Sequence, residues 1–456
     1  MLIDTHCHLD FKDFDADRDE VIDRAKRAGV EKIINVGSSI EGTRRSMELA
    51  RTHKAVYASI GVHPHEAQSV TGKVIEDFKK LASEKKVVAI GEVGLDYYRN
   101  NTPREKQVSS FKLFIRLAGE LKLPLIIHSR EADDDILDIL RKECGGGLRG
   151  VMHCFSADEP FLKEILKLGL FVSFTCNLTF KNADRLRQTA KSMPVERLLL
   201  ETDAPFLAPE GLRGKRNEPS YLVGLVDVWS RILGLSKDDI ARITTHNANT
   251  LFGLDVEEKV KVVYEIRDSV YLNITNKCTN DCDFCVRNKT AFVKGHNLKL
   301  DREPSADEVI RYVGDPKRYR EIVFCGYGEP LMRLDMVKKV AMELKAKGAR
   351  SIRVVTNGQG DIINSRPVAP ELAGLIDRIS ISLNTDNEDR YNKACRPKFG
   401  AGTYGRILDF IASCVKNNIV TEVTCLDLEE VDIRRCEEIA ASLGAKFRLR
   451  KLGIVG

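Results

Sequence analysis

Short apolar runs alternate with amphipathic stretches from the first residue onward, and this alternation decides the fold class. In the first half the runs fall at 2–8, 32–37, 56–62, 87–94, 123–129, 150–155, 170–175 and 197–203. Helical patterns separate them: Val21, Ile22 and Ala25 share one face before Gly29 stops that stretch. Eight parallel strands with helices between them predict an α/β fold, a closed (β/α)8 TIM-type barrel. Helical stretches near 219–233 and 236–251 complete its outer ring.

Residues 254–268 are rich in charged and β-branched side chains and read as a short linker leading into a hairpin or strand. A second series follows at 269–275, 321–325, 351–356, 378–383, 420–425 and 446–449. Six strands are too few for a full barrel, so a partial (β/α)6 barrel is predicted. The 456-residue chain thus divides into 1–254, a lead-in over 255–268, and 269–456. The two series do not repeat each other's motifs, which excludes a simple duplication.

The net charge of +5 is small for this length and does not by itself call for a nucleic-acid partner. No apolar run is long enough to span a membrane, and Met1-Leu2-Ile3-Asp4-Thr5-His6 lacks the basic and apolar regions of a signal peptide. A cytoplasmic chain without membrane contact is expected. Its twelve cysteines should then stay reduced, as metal ligands, reactive thiols or core filler.

Most of the nine histidines stand at the ends of apolar runs. His6 and His8 are two residues apart at the end of the first, hence on one face. His63 and His65 follow the third, Glu92 ends the fourth, His128 the fifth, His153 the sixth and Asp203 the eighth. In a parallel barrel these ends converge on one rim, where such folds carry their active sites. Imidazole with carboxylate suits Zn, Mn or Fe, and with more oxygen donors Mg. Two metals need a bridging group, and Glu92 is the central candidate. His53 and His246, on helical stretches, are read as ordinary residues.

The segments that carry these residues resemble the TatD family of metal-dependent nucleases in the amidohydrolase superfamily. They are Asp4-Thr5-His6-Cys7-His8-Leu9-Asp10, Gly61-Val62-His63-Pro64, Gly91-Glu92-Val93-Gly94-Leu95-Asp96, Ile127-His128-Ser129-Arg130, His153-Cys154-Phe155-Ser156 and Glu201-Thr202-Asp203-Ala204-Pro205. The likeness runs over about residues 1–254. It implies two divalent ions (Mg, Mn or Zn), one held by His6, His8, Glu92 and Asp203, the other by Glu92, His128 and His153. It also implies phosphodiester hydrolysis of DNA, often from the 3′ end, with a nucleic acid or nucleotide as substrate. Glu92, Asp203 and His63 would be catalytic, His63 contacting phosphate or aiding proton transfer. His65, Arg130 and Arg213 would contact phosphate. The alternative is a small-molecule amidohydrolase, but many of those place a bridging lysine at the end of strand four, where this chain has Glu92.

In the second half, Cys278, Cys282 and Cys285 stand at C-x3-C-x2-C spacing after the first strand. Thiolates ligate iron–sulfur clusters, and three ligands leave one iron of a four-iron cube open. A structural zinc site would want a fourth ligand close by, and the next histidine is His296. The motif resembles the radical S-adenosylmethionine (SAM) superfamily, over about 264–456. The resemblance implies a 4Fe-4S cluster, SAM, an electron donor such as flavodoxin or ferredoxin, and an unidentified substrate. Gly326, Gly328 and Glu329 in Cys325-Gly326-Tyr327-Gly328-Glu329-Pro330 would meet the SAM amino group, with Asn357, Ser382 and Asn384 at the next strand ends. The family's glycine–isoleucine–glycine pattern is missing from strand five, where Val420-Thr421-Glu422-Val423-Thr424-Cys425 stands. Cys325, Cys414, Cys425 and Cys436 are expected to be buried inert thiols, and Cys395 is the dispersed cysteine to test. The end at Gly456 is expected to leave little room for a substrate-capping domain. Two further readings are that only one half is catalytic, the other a sensor or docking module, or that both act on one modified nucleotide.

Overall fold

The computed structural model describes residues 1–99, 101–143, 147 and 149–450; Cys144 and the last residues of the second predicted domain, 451–456, lie outside the described residues. The backbone separates into two compact units, Met1–Glu257 and Glu258–Gly456.

The first unit holds β1 (Leu2–Cys7), β2 (Val30–Val36), β3 (Val56–Ile60), β4 (Val87–Asp96), β5 (Leu125–Arg130), β6 (Gly150–Met152), β7 (Phe171–Phe174) and β8 (Leu198–Leu200). They form one eight-stranded sheet in chain order, and a parallel bridge between Cys7 and Ala204 draws the last strand end back to the first. This is the barrel expected from the alternation. Alternate residues divide its core into two layers. Ile3, Ile34, Val88, Ile126, Val151 and Leu199 pack inside with Leu251 and Phe252 from the helix Lys237–Phe252. Their neighbours, such as Leu2, Ile33 and Val87, pack outward with Val21, Phe114 and Trp229 of the helices. Asn247 donates to the carbonyls of Val195 and Leu198, and Thr245 to that of Met1, so the last helix covers the N-terminal strand ends. The opposite rim stays open.

Several strands of this unit are shorter than predicted, β6 and β8 by the most. β6 and β8 stop before His153 and Asp203, because Cys154 and Asp203 take left-handed backbone with φ of 47° and 57° and turn out of the ladder. β4 is longer than predicted and passes Glu92. Between Ile90 and Val93 it advances three residues while β5 advances two, from Leu125 to Ile127. The extra residue is a bulge, which re-aims the Glu92 side chain. Gly94 then lies so close to β5 that a Cβ there would stand 2.0 Å from the His128 carbonyl oxygen.

The second unit contains β9 (Val263–Ile266), β10 (Ser269–Leu272), a ribbon of β11 (Phe292–Val293) and β12 (His296–Asn297), β13 (Glu321–Phe324), β14 (Ile352–Thr356), β15 (Arg378–Ser382), β16 (Val420–Leu426) and β17 (Lys446–Arg450). The sheet order is β17-β16-β15-β14-β13-β10-β9. Its six parallel strands are those predicted, and β9 adds an antiparallel edge from within the lead-in segment. One face carries a polar chain across five strands: Arg353 donates to Glu321 and Ser380, Ser380 to Glu422, and Arg448 to Glu422. The other face packs Val270, Phe324, Ile379 and Val423 against Val337, Leu344 and Phe410. No helix among the described residues is long and apolar enough to cross a membrane.

Candidate functional site

The rim of the first unit gathers the strand-end histidines and carboxylates around a cavity of about 670 Å³. Glu92 stands at its centre, buried, with its two oxygens facing different groups. Oε2 lies 3.6 Å from His6 Nε2 and 3.8 Å from His8 Nε2. Asp203 Oδ1 lies 3.7 and 3.5 Å from the same two nitrogens, which are 3.2 Å from each other. Oε1 of Glu92 instead faces His128 Nδ1 at 2.7 Å, His153 Nε2 at 3.1 Å and His63 Nε2 at 3.7 Å.

Hydrogen bonds at the far side of His8, His153 and His63 fix which nitrogen of each carries the proton. His8 Nδ1 is 3.0 Å from the Val36 carbonyl, so it donates, and a neutral His8 turns its Nε2 lone pair inward. His153 Nδ1 donates likewise to Glu201 Oε1 at 3.0 Å. His63 Nδ1 accepts from the His65 amide at 3.2 Å, so a neutral His63 presents Nε2–H to the cavity.

The electrostatics point the same way. Burial opposes the charge on Glu92, yet His153 and His63 outweigh it and hold the carboxyl well below its usual range. Burial also opposes a charged His8, but Asp203 and Glu92 push its pKa up to about 9. Burial holds His6 below the ordinary imidazole range and drops His63 to about 3. Buried carboxylates surrounded by imidazoles form a site that demands positive charge, which protons on His8 and His153 supply.

This donor set fits divalent ions. Ligands about 2.1 Å from a tetrahedral ion stand about 3.4 Å apart, close to the spacings around His6, His8, Glu92 and Asp203. His6 Nδ1 is buried with no hydrogen-bond partner among the described residues, so none of them fixes the proton from that side of the ring.

His65 and Arg130 also line the cavity, whereas Arg213 does not: its guanidinium lies over the Phe180 ring at 4.5 Å. His65 Nε2 is 2.8 Å from Asp96 Oδ2, and Arg130 stacks on Tyr98 at 3.9 Å. Three carboxylates had no role in the sequence reading. Asp96 joins His65 to His128 Nε2, which is 3.3 Å away. Glu201 backs His153, and Asp4 accepts from Thr202 Oγ1 at 2.6 Å and binds the two rim strands together. Period two offered the signal, since Asp4 precedes His6 and Glu201 precedes Asp203 by two residues on the same face.

In the second unit the cysteine loop follows β10. Cys278, Cys282 and Cys285 are each part-buried. Donors point at their sulfurs: the Asn280 amide at 3.5 Å and Asn357 Nδ2 at 3.9 Å toward Cys278, and Arg287 Nε at 3.4 Å toward Cys285. Such donors suit thiolates that hold an iron–sulfur cluster. The Cys395 thiol touches that of Cys282, and its carbonyl accepts from the Asp281 amide at 3.1 Å.

The glycine-rich turn meets a packing demand of its own. A Cβ on Gly326 would stand 2.2 Å from Asn273 Oδ1, and one on Gly328 2.3 Å from the Lys277 carbonyl oxygen. These glycines let the turn pack against the cysteine loop itself. Glu329 is buried, accepting from Thr356 Oγ1, the Leu331 amide and the Asn357 amide at 2.7–2.9 Å. Asn357 donates to Thr279 Oγ1 at 2.8 Å, Asn384 has φ of 63° and lies against Cys395, and Ser382 ends β15 half-buried.

Residues 3–253 match the family model described as TatD related DNase, and residues 272–442 match the Radical SAM superfamily. YabD of Bacillus subtilis (strain 168), an uncharacterized metal-dependent hydrolase, is 42% identical over 255 residues, which are 56% of this chain and 100% of that protein. The 3′-5′ ssDNA/RNA exonuclease TatD of Klebsiella pneumoniae (strain 342) is 35% identical over 262 residues, 56% of this chain and 99% of its own. The crystal structure of the TatD homolog YjjV from Escherichia coli K12 superposes with a TM-score of 0.53 at 31% identity, covering 55% of this chain and 98% of that one.

Proposed function

Because its first half belongs to the TatD related DNase family, a family of metal-dependent hydrolases, and its second half to the radical SAM superfamily, we propose that this chain pairs phosphodiester hydrolysis of nucleic acid with SAM-dependent radical chemistry on a separate substrate. The observation that carries the hydrolytic reading is the division of Glu92: one oxygen serves His6, His8 and Asp203, the other His63, His128 and His153.

In this reading His6, His8, Glu92 and Asp203 hold one divalent ion, and Glu92, His128 and His153 the other. When bound, such ions supply the positive charge that acidifies a water and offsets charge building on phosphate oxygens. The chain's own residues do the rest. His63 presents Nε2–H to a phosphate oxygen or the leaving group. His65, held by Asp96, and Arg130, held on Tyr98, orient the phosphate from the cavity wall. The exonuclease activity in the name of the Klebsiella relative supports a strand end as substrate.

Cys278, Cys282 and Cys285 hold the cluster in the second unit. When bound, cluster and SAM supply a radical, chemistry that belongs to the cofactor. Arg287 steadies the thiolates, Asn357 and Asn384 line the strand ends beside them, and an electron donor of the flavodoxin or ferredoxin kind is the partner this requires.

The test is one anaerobic preparation of the full chain, assayed with Mn or Mg on end-labelled single-stranded DNA and, after reduction, for 5′-deoxyadenosine from SAM. Stepwise shortening of the strand and release of 5′-deoxyadenosine are expected. A metal-loaded sample that leaves DNA intact while hydrolysing small amides or lactones overturns the hydrolytic reading.

A further inference from the structure

Phe206 is a large apolar side chain left 51% exposed at the rim of the cavity, beside a buried donor set. Exposure of one aromatic residue is ordinary, but the backbone of this one is pinned on both sides. Its amide donates to the Asp203 carbonyl at 2.9 Å, and its carbonyl accepts from Asn217 Nδ2 at 2.6 Å. Asn217 is fully buried and uses the same amide group to reach the Thr202 carbonyl at 2.9 Å. The backbone that places Asp203 in the donor set therefore also places Phe206.

The ring extends an aromatic wall. Phe11 lies on the His8 imidazole with centroids 4.7 Å apart and planes 24° apart. Phe206 meets Phe11 edge-on at 5.9 Å and His8 at 6.3 Å. Arg130 lines the same cavity, its guanidinium already stacked on Tyr98. The cavity thus combines a cation-demanding centre with a flat apolar surface and a flanking arginine. That combination matches a nucleotide, whose charged phosphate and uncharged flat base sit at opposite ends. A small polar substrate has no use for the exposed ring.

We propose that Phe206 is the stacking platform for a nucleobase adjoining the hydrolysed phosphate, a binding role that rests on the nucleic-acid reading above. Stacking needs an unpaired base, so the platform selects single strands and frayed ends over intact duplex. It is tolerant of sequence, because every base offers a π face.

The experiment uses the full manganese-loaded chain and three proteins: the parent, Phe206→Ala and Phe206→Tyr. The substrates are single-stranded DNA with 2-aminopurine at either of its last two 3′ positions, and the same strands abasic at those positions. Phe206→Ala is expected to raise KM for the base-bearing strand about tenfold and to lose the 2-aminopurine fluorescence change on binding. Phe206→Tyr should restore both, and parent and Phe206→Ala should treat the abasic strands alike. Equal losses on base-bearing and abasic strands, or no loss at all while the parent cleaves, overturn the platform alone. A parent that neither binds nor cleaves any of the strands overturns the nucleic-acid reading and the platform with it.

Discussion

Glu201 stands directly behind His153: its Oε1 lies 3.0 Å from the ring's Nδ1 and 2.7 Å from the Cys154 amide. A carboxylate in that position fixes both the tautomer and the orientation of an imidazole that turns its other nitrogen to Glu92.

Glu92 and Glu201 should therefore respond differently to substitution. Glu92→Ala removes the group shared by both donor sets and should abolish hydrolysis along with most bound metal. Glu201→Gln leaves every inward donor in place and should weaken metal affinity about 10- to 100-fold. Metal titration followed by atomic emission reads both. Equal metal loss in the two variants would contradict the division of labour.

The cysteine loop makes a prediction in which contact and ligation part company. Anaerobically reconstituted chain should carry about four irons. Changing Cys278, Cys282 or Cys285 to Ala should remove the iron and the SAM-dependent change in the electron paramagnetic resonance spectrum. Cys395→Ala touches the same loop but should keep both. Hydrolysis of DNA should persist in all four variants. Zinc on the loop, with no spectral response to SAM, would rule out the cluster.

Glu329 should make the second unit less stable at neutral pH than in mild acid. Burial raises its carboxyl from 4.5 to about 7, against the hydrogen bonds from Asn357, Leu331 and Thr356 that favour the charged form. The folded chain then keeps a proton that the unfolded chain has released. Stability present below the unfolded value is lost as pH rises through about 7. The loss is on the order of 3 kcal/mol. Denaturant unfolding of the second unit at pH 5 and pH 8 reads it, and Glu329→Gln should flatten the difference.

The two units should be separable at one place and not at another. Each builds its own hydrophobic core, so a fragment ending at Glu257 should fold, bind metal and hydrolyse DNA. A cut after Ile266 leaves the fragment carrying β9 without its partner β10, and should expose an apolar edge that precipitates. Solubility and metal content of the two fragments decide the matter.

The fold was legible because one sheet face and one helix stripe must be apolar, and those periods survive in any single sequence. All fourteen predicted strands are present. The ligand candidates were legible for a similar reason: histidine is rare here, and its placement at strand ends is conspicuous. What stayed hidden depends on register. The bulge at Glu92 cannot be read from β4 alone, since it exists only against β5. Asp96, Glu201 and Asp4 act through other side chains; period two places Asp4 and Glu201 beside His6 and Asp203, but which group each one holds appears only in the packed chain. Gly326 and Gly328 read as a ligand cradle, and only the packed chain reveals that Asn273 and Lys277 also require them. Arg213 lay in a loop whose path no periodicity specifies.

Among the described residues β17 has a hydrogen-bonded neighbour on one side only, and an unpaired strand edge is a template for another chain. Lys446, Arg448 and Arg450 alternate along it, with Arg448 turned toward Glu422 on the polar face of the sheet. Adding a further strand there would oblige the newcomer to lie beside a row of cations, and a second copy of β17 would bring its own row against them. Edge-to-edge growth of this half-barrel into an aggregate is opposed by charge rather than by shape, so it should be least restrained in high salt, where that repulsion is screened.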